Sequence, residues 1–462
     1  MTGFVEKLIA RTWNGIAARK KRRRADHNDG KLDFGFIIKD GQVTKQRFGL
    51  TQGRRSEHIA ILGKTGSGKS YFLRHLASQD VSSDHGFVYF DLHGDATPFL
   101  LRLLAAREGR ERIDLSEKVI IIDPADTLYS VGLNVLEATD NRNAFVQISE
   151  FAQILKTRWH LDSFGARTEE LLRNALYVLR ENKLTLLELS PLLTNAGFRT
   201  WCLPQVGNAE VQAYFSTRYD QASEAMQAVM RDAILNKVSV FTADPHFRHI
   251  LGQQQSTISL EDAIENSSYV IVNLNKGRLG EQAPTLGSLI LSRLKNALFA
   301  RRSRKIFTLY CDEVQNLVAY DSGLDTLLSE ARKFAVSVVS ANQFLDQYPQ
   351  AMRSAILSVG THVCFQLSSQ DADKMAASLA GAKYLADLLR DLPHQELIAK
   401  TASYPAARLR VPNVVTPTTS YHDLYERCRT RWARRRAQIE QEIQGRQTQA
   451  SQSQSEVLNA WD

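Results

Sequence analysis

The sequence predicts an α/β protein with a mainly parallel central sheet and an all-α insertion, and two patterns carry this prediction. Short apolar strand patterns alternate with helical patterns over residues 58–122 and again over residues 269–367. Between them, from about residue 140 to 250, leucine-rich helical periodicity replaces the strand patterns. Several strand patterns are apolar throughout, which is typical of strands buried on both faces of a parallel sheet.

The predicted elements follow in a regular order along the chain. Residues 32–50 alternate apolar and polar side chains around Asp40-Gly41, which predicts a β-hairpin. Strands are predicted at residues 58–62, 86–92, 119–122, 269–274, 306–311, 336–340 and 361–367, and helices at 69–78, 96–107, 285–300 and 322–333. The predicted domains are a basic N-terminal segment (1–30), one α/β domain (31–140 and 251–415), the all-α insertion (141–250), and a basic C-terminal helix with a low-complexity, disordered tail (416–462).

The formal net charge of +8 is concentrated at the two ends of the 462-residue chain. Residues 1–25 carry a net +7 and residues 427–436 a net +6, so the rest of the chain carries about −5. A uniformly basic, DNA-binding body is therefore not supported. Residues 1–25 place apolar side chains at helical spacing before a run of basic residues. Three interpretations stay open: a helix on an acidic membrane surface, a partner-docking helix with a nucleic-acid-binding arm, or a helix packed on the protein itself.

The composition is that of an ordinary globular protein, with 43% hydrophobic and 23% charged residues. Its four cysteines are scattered without paired spacing, which favours a reducing compartment and argues against a disulfide frame or a zinc site. The longest run without a charged residue, 354–370, contains too many polar residues to predict a membrane span. We expect a cytoplasmic protein, with peripheral contact at the inner face of the cell membrane through residues 1–25 as one option.

Residues 63–70 match the complete P-loop pattern between an apolar strand and a helix, the context that this motif requires. The glycines allow backbone N–H groups to converge on phosphates at the positive end of the helix. Lys69 is expected to reach the β- and γ-phosphates, and the Ser70 hydroxyl to ligate Mg²⁺. The motif predicts binding of ATP and Mg²⁺ by Gly63, Lys64, Thr65, Gly66, Ser67, Gly68, Lys69 and Ser70.

A P-loop needs acidic residues at the end of a neighbouring strand, and Asp312 and Glu313 follow the apolar strand pattern at 306–311. We expect Asp312 to belong to the Mg²⁺ shell. Glu313 is expected to orient and polarise the attacking water, so hydrolysis is the predicted reaction. Gln343 follows the next strand and is predicted to sense the γ-phosphate, with capping of the strand end as the alternative.

Several motifs together resemble the FtsK/HerA superfamily, and within it the conjugative coupling ATPases of type IV secretion (the TraD/TraG group). They are the P-loop, Phe90-Asp91-Leu92-His93-Gly94-Asp95, Asp312-Glu313, Leu328-Ser329-Glu330-Ala331-Arg332-Lys333 and Ala341-Asn342-Gln343. The resemblance covers about residues 55–380. The segment around His93 is interpreted as a turn near the nucleotide, because its spacing does not suit a metal site.

The resemblance implies a RecA-like core with an inserted all-α domain, assembled as a homohexameric ring that moves DNA through its pore. It also implies that nucleotide lies between subunits and that an arginine from the neighbour completes each site. By motif position this arginine is Arg332, and Arg353 is the reserve candidate. From the residues alone, Arg332 and Lys333 offset the dipole of a helix C-terminus. Secretion or relaxosome-like proteins are the implied partners.

Two other functions fit the same nucleotide motifs. One is a HerA-like soluble DNA motor in DNA processing or defence, and the other is an ATPase that powers protein secretion without DNA. Coupling proteins of this group usually carry N-terminal membrane helices, and the sequence predicts none. This difference keeps the soluble motor as an alternative.

Overall fold

An eleven-stranded mixed sheet is the centre of the computed structural model, which describes residues 30–137, 144–158, 165–317, 324–348, 350–379 and 383–459. The strands are β1 (Lys31–Lys39), β2 (Gln42–Thr51), β3 (Ile59–Leu62), β4 (Phe87–Asp91), β5 (Val119–Ile122), β6 (Tyr129–Ser130), β7 (Tyr269–Asn273), β8 (Phe307–Asp312), β9 (Val336–Asn342), β10 (Thr361–Cys364), β11 (Glu396–Thr401), β12 (Ala407–Arg410) and β13 (Arg434–Arg435).

The α-helices lie between and after these strands. They are α1 (Gln52–Arg55), α2 (Lys69–Ser82), α3 (Ala96–Glu111), α4 (Ala144–Arg158), α5 (Ala166–Glu181), α6 (Leu189–Thr194), α7 (Ala196–Cys202), α8 (Ala209–Ala213), α9 (Glu224–Ala243), α10 (Pro245–Leu251), α11 (Leu260–Glu265), α12 (Lys276–Leu279), α13 (Ala283–Ala300), α14 (Leu324–Glu330), α15 (Gln350–Leu357), α16 (Ser369–Ser378), α17 (Lys383–Arg390), α18 (His422–Trp432) and α19 (Arg436–Asn459).

The sheet has a parallel half and an antiparallel half. Its strand order is β2-β1-β12-β11-β10-β3-β9-β8-β4-β7-β5. Every neighbouring pair from β10 to β5 is parallel, and every pair from β2 to β10 is antiparallel. The mainly parallel sheet and the hairpin of β1 and β2 are therefore confirmed. Strands β11 and β12 were not predicted from the sequence, because their mixed charged and apolar residues lack a clear strand pattern.

Alternate side chains of the central strands enter two cores, one on each face of the sheet. Leu62 and Phe90 pack in one core, whereas Ile61 and Tyr89 pack in the other. This follows from the two-residue period of a strand and explains why both faces of these strands are apolar. The helices α2 and α3 cover one face, and α13 covers the other together with the helices that precede β7.

The described residues between β6 and β7 contain helices α4 to α11 and no strand. Helix α5 shows the physical basis of this region, since its leucines Leu171, Leu172, Leu176 and Leu179 are buried at helical spacing. These side chains join the same core as β4, β7 and α13. The division into domains at residues 140 and 250 remains a prediction.

A buried ion pair fixes the helix that follows the P-loop against the strand that carries Asp312. Arg55 donates two hydrogen bonds to Asp80 of α2, at 2.6 and 2.7 Å, and both side chains are fully buried. Thr308 and Tyr310 of β8 donate hydroxyl hydrogen bonds to the same carboxylate. Burial opposes ionisation of Asp80, but the charge of Arg55 and the hydrogen bonds with His85, Arg55 and Tyr310 lower its pKa to about 2. This network holds α2 and β8 in a fixed relation at the base of the site.

The arginines of residues 427–436 form ion pairs with the protein body. Arg427 contacts Glu108 and Asp114, Arg429 contacts Asp126, and Arg431 contacts Glu117. The charge count by itself gives this segment a net +6. Acidic residues distant in sequence offset part of this charge, because they pair with these three arginines.

Helix α19 spans Arg436–Asn459, although the low-complexity composition predicts a disordered tail. Its first turns are anchored, since Ile439 and Ile443 are buried against Leu187. Arg446 also pairs with the buried carboxylate of Glu188 at 3.0 Å. Glutamine and alanine have high helix propensity, so an anchored helix can continue through such a segment.

Residues 1–25 lie outside the described residues. Within the described ranges, no helix is both long and apolar enough to cross a membrane.

Candidate nucleotide site

The P-loop joins β3 to α2 and is shaped by its glycines. Gly66 and Gly68 have φ angles of +77° and +112°, which side chains other than glycine rarely adopt. Gly63 has no room for a side chain, because a Cβ atom there would lie 2.6 Å from Phe365 Cβ. The backbone N–H of Lys64 donates to Gln366 O at 2.8 Å. Gly63 N donates to Asn342 O, at the end of β9, at 3.2 Å. Contacts at the ends of both neighbouring strands, β10 and β9, therefore hold the loop in place.

The Lys69 side chain lies inside the curve of the P-loop. Its Nζ donates to Gly63 O at 2.6 Å and to Lys64 O at 2.9 Å. Burial lowers the pKa of Lys69, although the nearby charges of Asp312 and Glu313 favour the ammonium form. The ammonium is thus held at the loop by carbonyl groups that a stronger acceptor could replace.

Ser70 and Asp312 meet at the same edge of the sheet, although β8 is not the direct neighbour of β3 that was expected, because β9 lies between them. Ser70 Oγ donates to Asp312 Oδ2 at 2.7 Å, across the junction between α2 and β8. Burial raises the pKa of Asp312, and the hydrogen bond from Ser70 acts against that rise. A hydroxyl and a carboxylate are hard oxygen ligands, and Mg²⁺ commonly takes few protein ligands besides water and phosphate oxygens. This pair therefore fits the predicted metal ligands by donor type.

The side chains that contact Glu313 are different from the one that bonds its neighbour Asp312. Gln343 Nε2 donates to its Oε1 at 2.8 Å, and Asn316 Nδ2 donates to its Oε2 at 3.1 Å. His93 Nε2 lies 3.5 Å from Oε1. The contact with His93 is the main cause that lowers the pKa of Glu313 to about 2, and burial opposes it. The two adjacent acids therefore have opposite pKa shifts, which suits two separate tasks.

Gln343 connects the P-loop to Glu313. Its Oε1 accepts a hydrogen bond from Thr65 Oγ1 at 3.0 Å, while its Nε2 donates to Glu313. The side chain, which follows β9, therefore contacts one predicted site residue in the P-loop and another just after β8. The roles of Gln343 in sensing the γ-phosphate or in capping the strand remain predictions.

Arg332 lies at the opposite edge of the sheet from its own P-loop. Its guanidinium is 3.4 Å from Glu57 Oε1, and its side chain is 67% exposed. Glu57 precedes β3 whereas the P-loop follows it, and β9 runs parallel to β3 between Arg332 and Gln343. The seven residues of β9 span roughly 20 Å at about 3.3 Å per residue. An arginine side chain cannot cover that distance, so Arg332 does not join the other predicted site residues within one chain.

Arg353, the reserve candidate, lies on the other side of β9. It forms an ion pair with Asp346 at 3.0 Å and donates to Tyr348 O at 3.2 Å. It follows Gln343 in the chain but contacts none of the P-loop residues through these bonds. Its contacts are those of a side chain that fixes the loop before α15.

Three residues near Glu313 escaped prediction as site residues. Besides His93, they are Asn316 and Lys276, whose Nζ donates to Asn316 Oδ1 at 2.7 Å. Lys276 also contributes to the lowered pKa of Glu313. The feature of the sequence that could have indicated Lys276 is its position just after the end of β7. Strand β7 pairs with β4. Only the strand order brings that end close to Glu313, so the sequence pattern by itself could not assign it.

Comparisons with known proteins give the family of the chain and structures of similar fold. The family model for the central domain of the helicase HerA matches residues 48–294, more than half of the chain. No curated protein matches the chain. Among solved structures, the bacterial conjugative coupling protein TrwBΔN70 is 17% identical with a TM-score of 0.60, covering 87% of this chain and 94% of that one.

A structure of TrwB in complex with ADP and Mg²⁺ is 18% identical with a TM-score of 0.60, covering 85% of this chain and 98% of that one. VirB4 of Thermoanaerobacter pseudethanolicus is 14% identical with a TM-score of 0.54, covering 85% and 99%. At these identities the likeness establishes the fold. The predicted RecA-like α/β fold class is therefore confirmed.

Proposed function

The chain belongs to the family of the helicase HerA central domain, and we propose that it is an ATPase that moves DNA as a hexameric ring in a type IV secretion-like system. The observation that carries this proposal is the separation of two sets of residues. Lys69, Ser70, Asp312 and Glu313 lie at one edge of the parallel sheet, and Arg332 lies exposed at the other. Such an arrangement suits a site completed by a second copy of the chain.

The nucleotide is ATP, held by the P-loop. Lys69 exchanges its contacts with Gly63 O and Lys64 O for the β- and γ-phosphates, which are stronger acceptors for an ammonium group. Ser70 and Asp312 would hold Mg²⁺ through the oxygens that share a hydrogen bond in this structure. When bound, Mg²⁺ would neutralise negative charge on the phosphates. The structures of TrwB with ADP and Mg²⁺ and with an ATP analogue support this assignment.

Hydrolysis requires a water molecule aligned with the γ-phosphate, and Glu313 orients it. The low pKa of Glu313 keeps the carboxylate ionised at neutral pH, so it accepts a hydrogen bond from the attacking water. Gln343 contacts both Thr65 of the P-loop and Glu313. From this position just after β9 it senses whether the γ-phosphate is present. Arg332 of the neighbouring subunit neutralises charge on the transferring group.

DNA is held in the pore through its phosphates, so a body that is slightly acidic overall can still bind it with a few basic residues. Residues 1–25 remain a candidate contact for DNA, for secretion or relaxosome-like proteins, or for a membrane surface. The arginines of residues 427–436 that pair with Glu108, Asp126 and Glu117 are not free for this task.

We expect DNA to stimulate ATP hydrolysis severalfold at low salt, with the stimulation falling as salt rises because phosphate contacts are screened. Steady-state turnover is measured with and without long duplex and single-stranded DNA. Lys69→Ala, which should hydrolyse ATP in neither condition, controls for contaminating ATPases.

The absence of stimulation by either form of DNA across low salt would contradict the DNA motor. Stimulation by secreted proteins alone would instead identify an ATPase that powers protein secretion. Hydrolysis stimulated by DNA in a soluble complex with a nuclease would favour the HerA-like motor of DNA processing or defence.

A further inference from the structure

The loop after β4 is held rigidly by Asp91, a buried residue outside the nucleotide motifs. Its Oδ1 accepts a hydrogen bond from Gly94 N at 2.8 Å. Its Oδ2 accepts two from Thr97, through the backbone N and through Oγ1, both at 2.7 Å. Three hydrogen bonds to one carboxylate define the path of residues 92–97 and leave little freedom at His93.

Neighbouring elements hold the same loop from both sides. Gly94 has a φ of +77°, and a Cβ atom there would lie 2.4 Å from Asn275 Nδ2, in the segment that follows β7. On the other side, Arg74 of α2 forms an ion pair with Asp95 at 2.5 Å. His93 is therefore the one residue of Leu92-His93-Gly94-Asp95 that presents a cationic or hydrogen-bonding side chain toward Glu313, with its Nε2 at 3.5 Å from Oε1.

The contacts of Glu313 determine which of its oxygens can take a water molecule. A carboxylate offers about four acceptor sites, two on each oxygen. Oε1 faces both Gln343 Nε2 and His93 Nε2, and Oε2 accepts from the side chain of Asn316. One acceptor site remains, on Oε2. The hydrogen bonds from Gln343 and Asn316, with the ion-pair contact of His93, thus restrict the rotation of the carboxylate.

Resting on the proposed function of this site, we propose that His93 is a positioning residue for Glu313. Its imidazole occupies the second acceptor site of Oε1, so the attacking water can pair only with Oε2, and the carboxylate keeps the rotation that hydrolysis needs. The metal-site interpretation of His93 is not supported, because Asp91 already accepts three hydrogen bonds from backbone and hydroxyl donors and Asp95 is paired with Arg74. The raised pKa of His93, to about 9 chiefly through its contact with Glu313, agrees with a charged partner.

The test compares His93→Ala with His93→Gln in ATP hydrolysis without DNA. Loss of the side chain should reduce kcat roughly tenfold, because a misplaced catalytic group costs rate without changing substrate contacts. The KM for ATP should stay within about twofold of wild type, since His93 contacts Glu313 and not the P-loop. His93→Gln keeps an N–H donor at similar reach and should recover most of the lost turnover. His422→Ala, an exposed histidine at the start of α18, serves as the matched control with unchanged kinetics.

Three outcomes would overturn this role. They are a His93→Ala kcat within twofold of wild type, a raised KM with unchanged kcat, or a loss of kcat that glutamine does not restore. The proposed function fails separately: if Glu313→Gln hydrolyses ATP like wild type, the site itself is misassigned. If Glu313→Gln is inactive and His93→Ala is fully active, only the positioning role is wrong.

Discussion

Replacing Glu313 with glutamine is expected to reduce ATP hydrolysis by about 10²–10⁴-fold, the usual contribution of a positioned acid or base. Glutamine has nearly the same shape, but its amide nitrogen cannot accept a hydrogen bond as the carboxylate oxygens do from Gln343 and Asn316, and the neutral amide loses the ion pair with His93. Lys69, Ser70 and Asp312 are unchanged, so ATP and Mg²⁺ should still bind. Turnover is measured at steady state, and binding is measured separately with a fluorescent ATP analogue.

Glu210→Gln is the matched control for this substitution, because Glu210 is an exposed residue of α8. It should leave both hydrolysis and nucleotide binding unchanged. Turnover of Glu313→Gln near the wild-type rate would show that another group orients the water. Loss of ATP binding together with hydrolysis would instead show that Glu313 belongs to the binding site for the nucleotide.

The second large effect is expected at Arg332, whose removal should reduce hydrolysis by about 10³–10⁵-fold if it stabilises the transferring phosphoryl group in the neighbouring site. Rings of Arg332→Ala alone and of Lys69→Ala alone should both be inactive. Mixed rings should regain activity, because an interface between an intact P-loop and an intact Arg332 forms when the two variants alternate. Turnover is measured across mixing ratios and compared with each variant by itself.

Arg110→Ala provides a matched control, because its side chain is 67% exposed like that of Arg332 and pairs with a neighbouring acid. It should hydrolyse ATP at the wild-type rate. Failure to regain activity, in rings verified to contain both variants, would exclude Arg332 as a residue supplied in trans. Arg353→Ala would then be tested in the same mixing experiment.

Local sequence patterns predicted the elements that carry the chemistry, because each depends on residues that are close in the chain. The P-loop has a glycine spacing that its own backbone requires, and Asp312 ends an apolar strand that is recognisable by itself. The prediction of β3, β4, β8 and β9 followed from apolar runs that are buried on both faces. A strand that is buried on both faces needs an apolar run whatever its position in the sheet, so the run can be recognised without knowing the strand order.

The contacts around Glu313 depend on strand order, which local patterns do not contain. His93 follows β4 and contacts Glu313, while Lys276 follows β7 and contacts Asn316 beside it, because β4 pairs with both β7 and β8. The arginines of residues 427–436 show that a local count of charges likewise does not reveal which residues they pair with in the fold. Their count gives a net +6, but Glu108, Asp126 and Glu117, some 300 residues earlier, form ion pairs with three of them.

ATP-driven movement along DNA is tested most directly by displacement of a third strand from a DNA triplex. We predict that the wild-type protein displaces the strand only with ATP and Mg²⁺, and that Lys69→Ala and Glu313→Gln displace none. The expected displacement time should increase with the length of duplex between the loading site and the triplex. No displacement by protein that is hydrolysing ATP in the presence of the same DNA would contradict a DNA translocase.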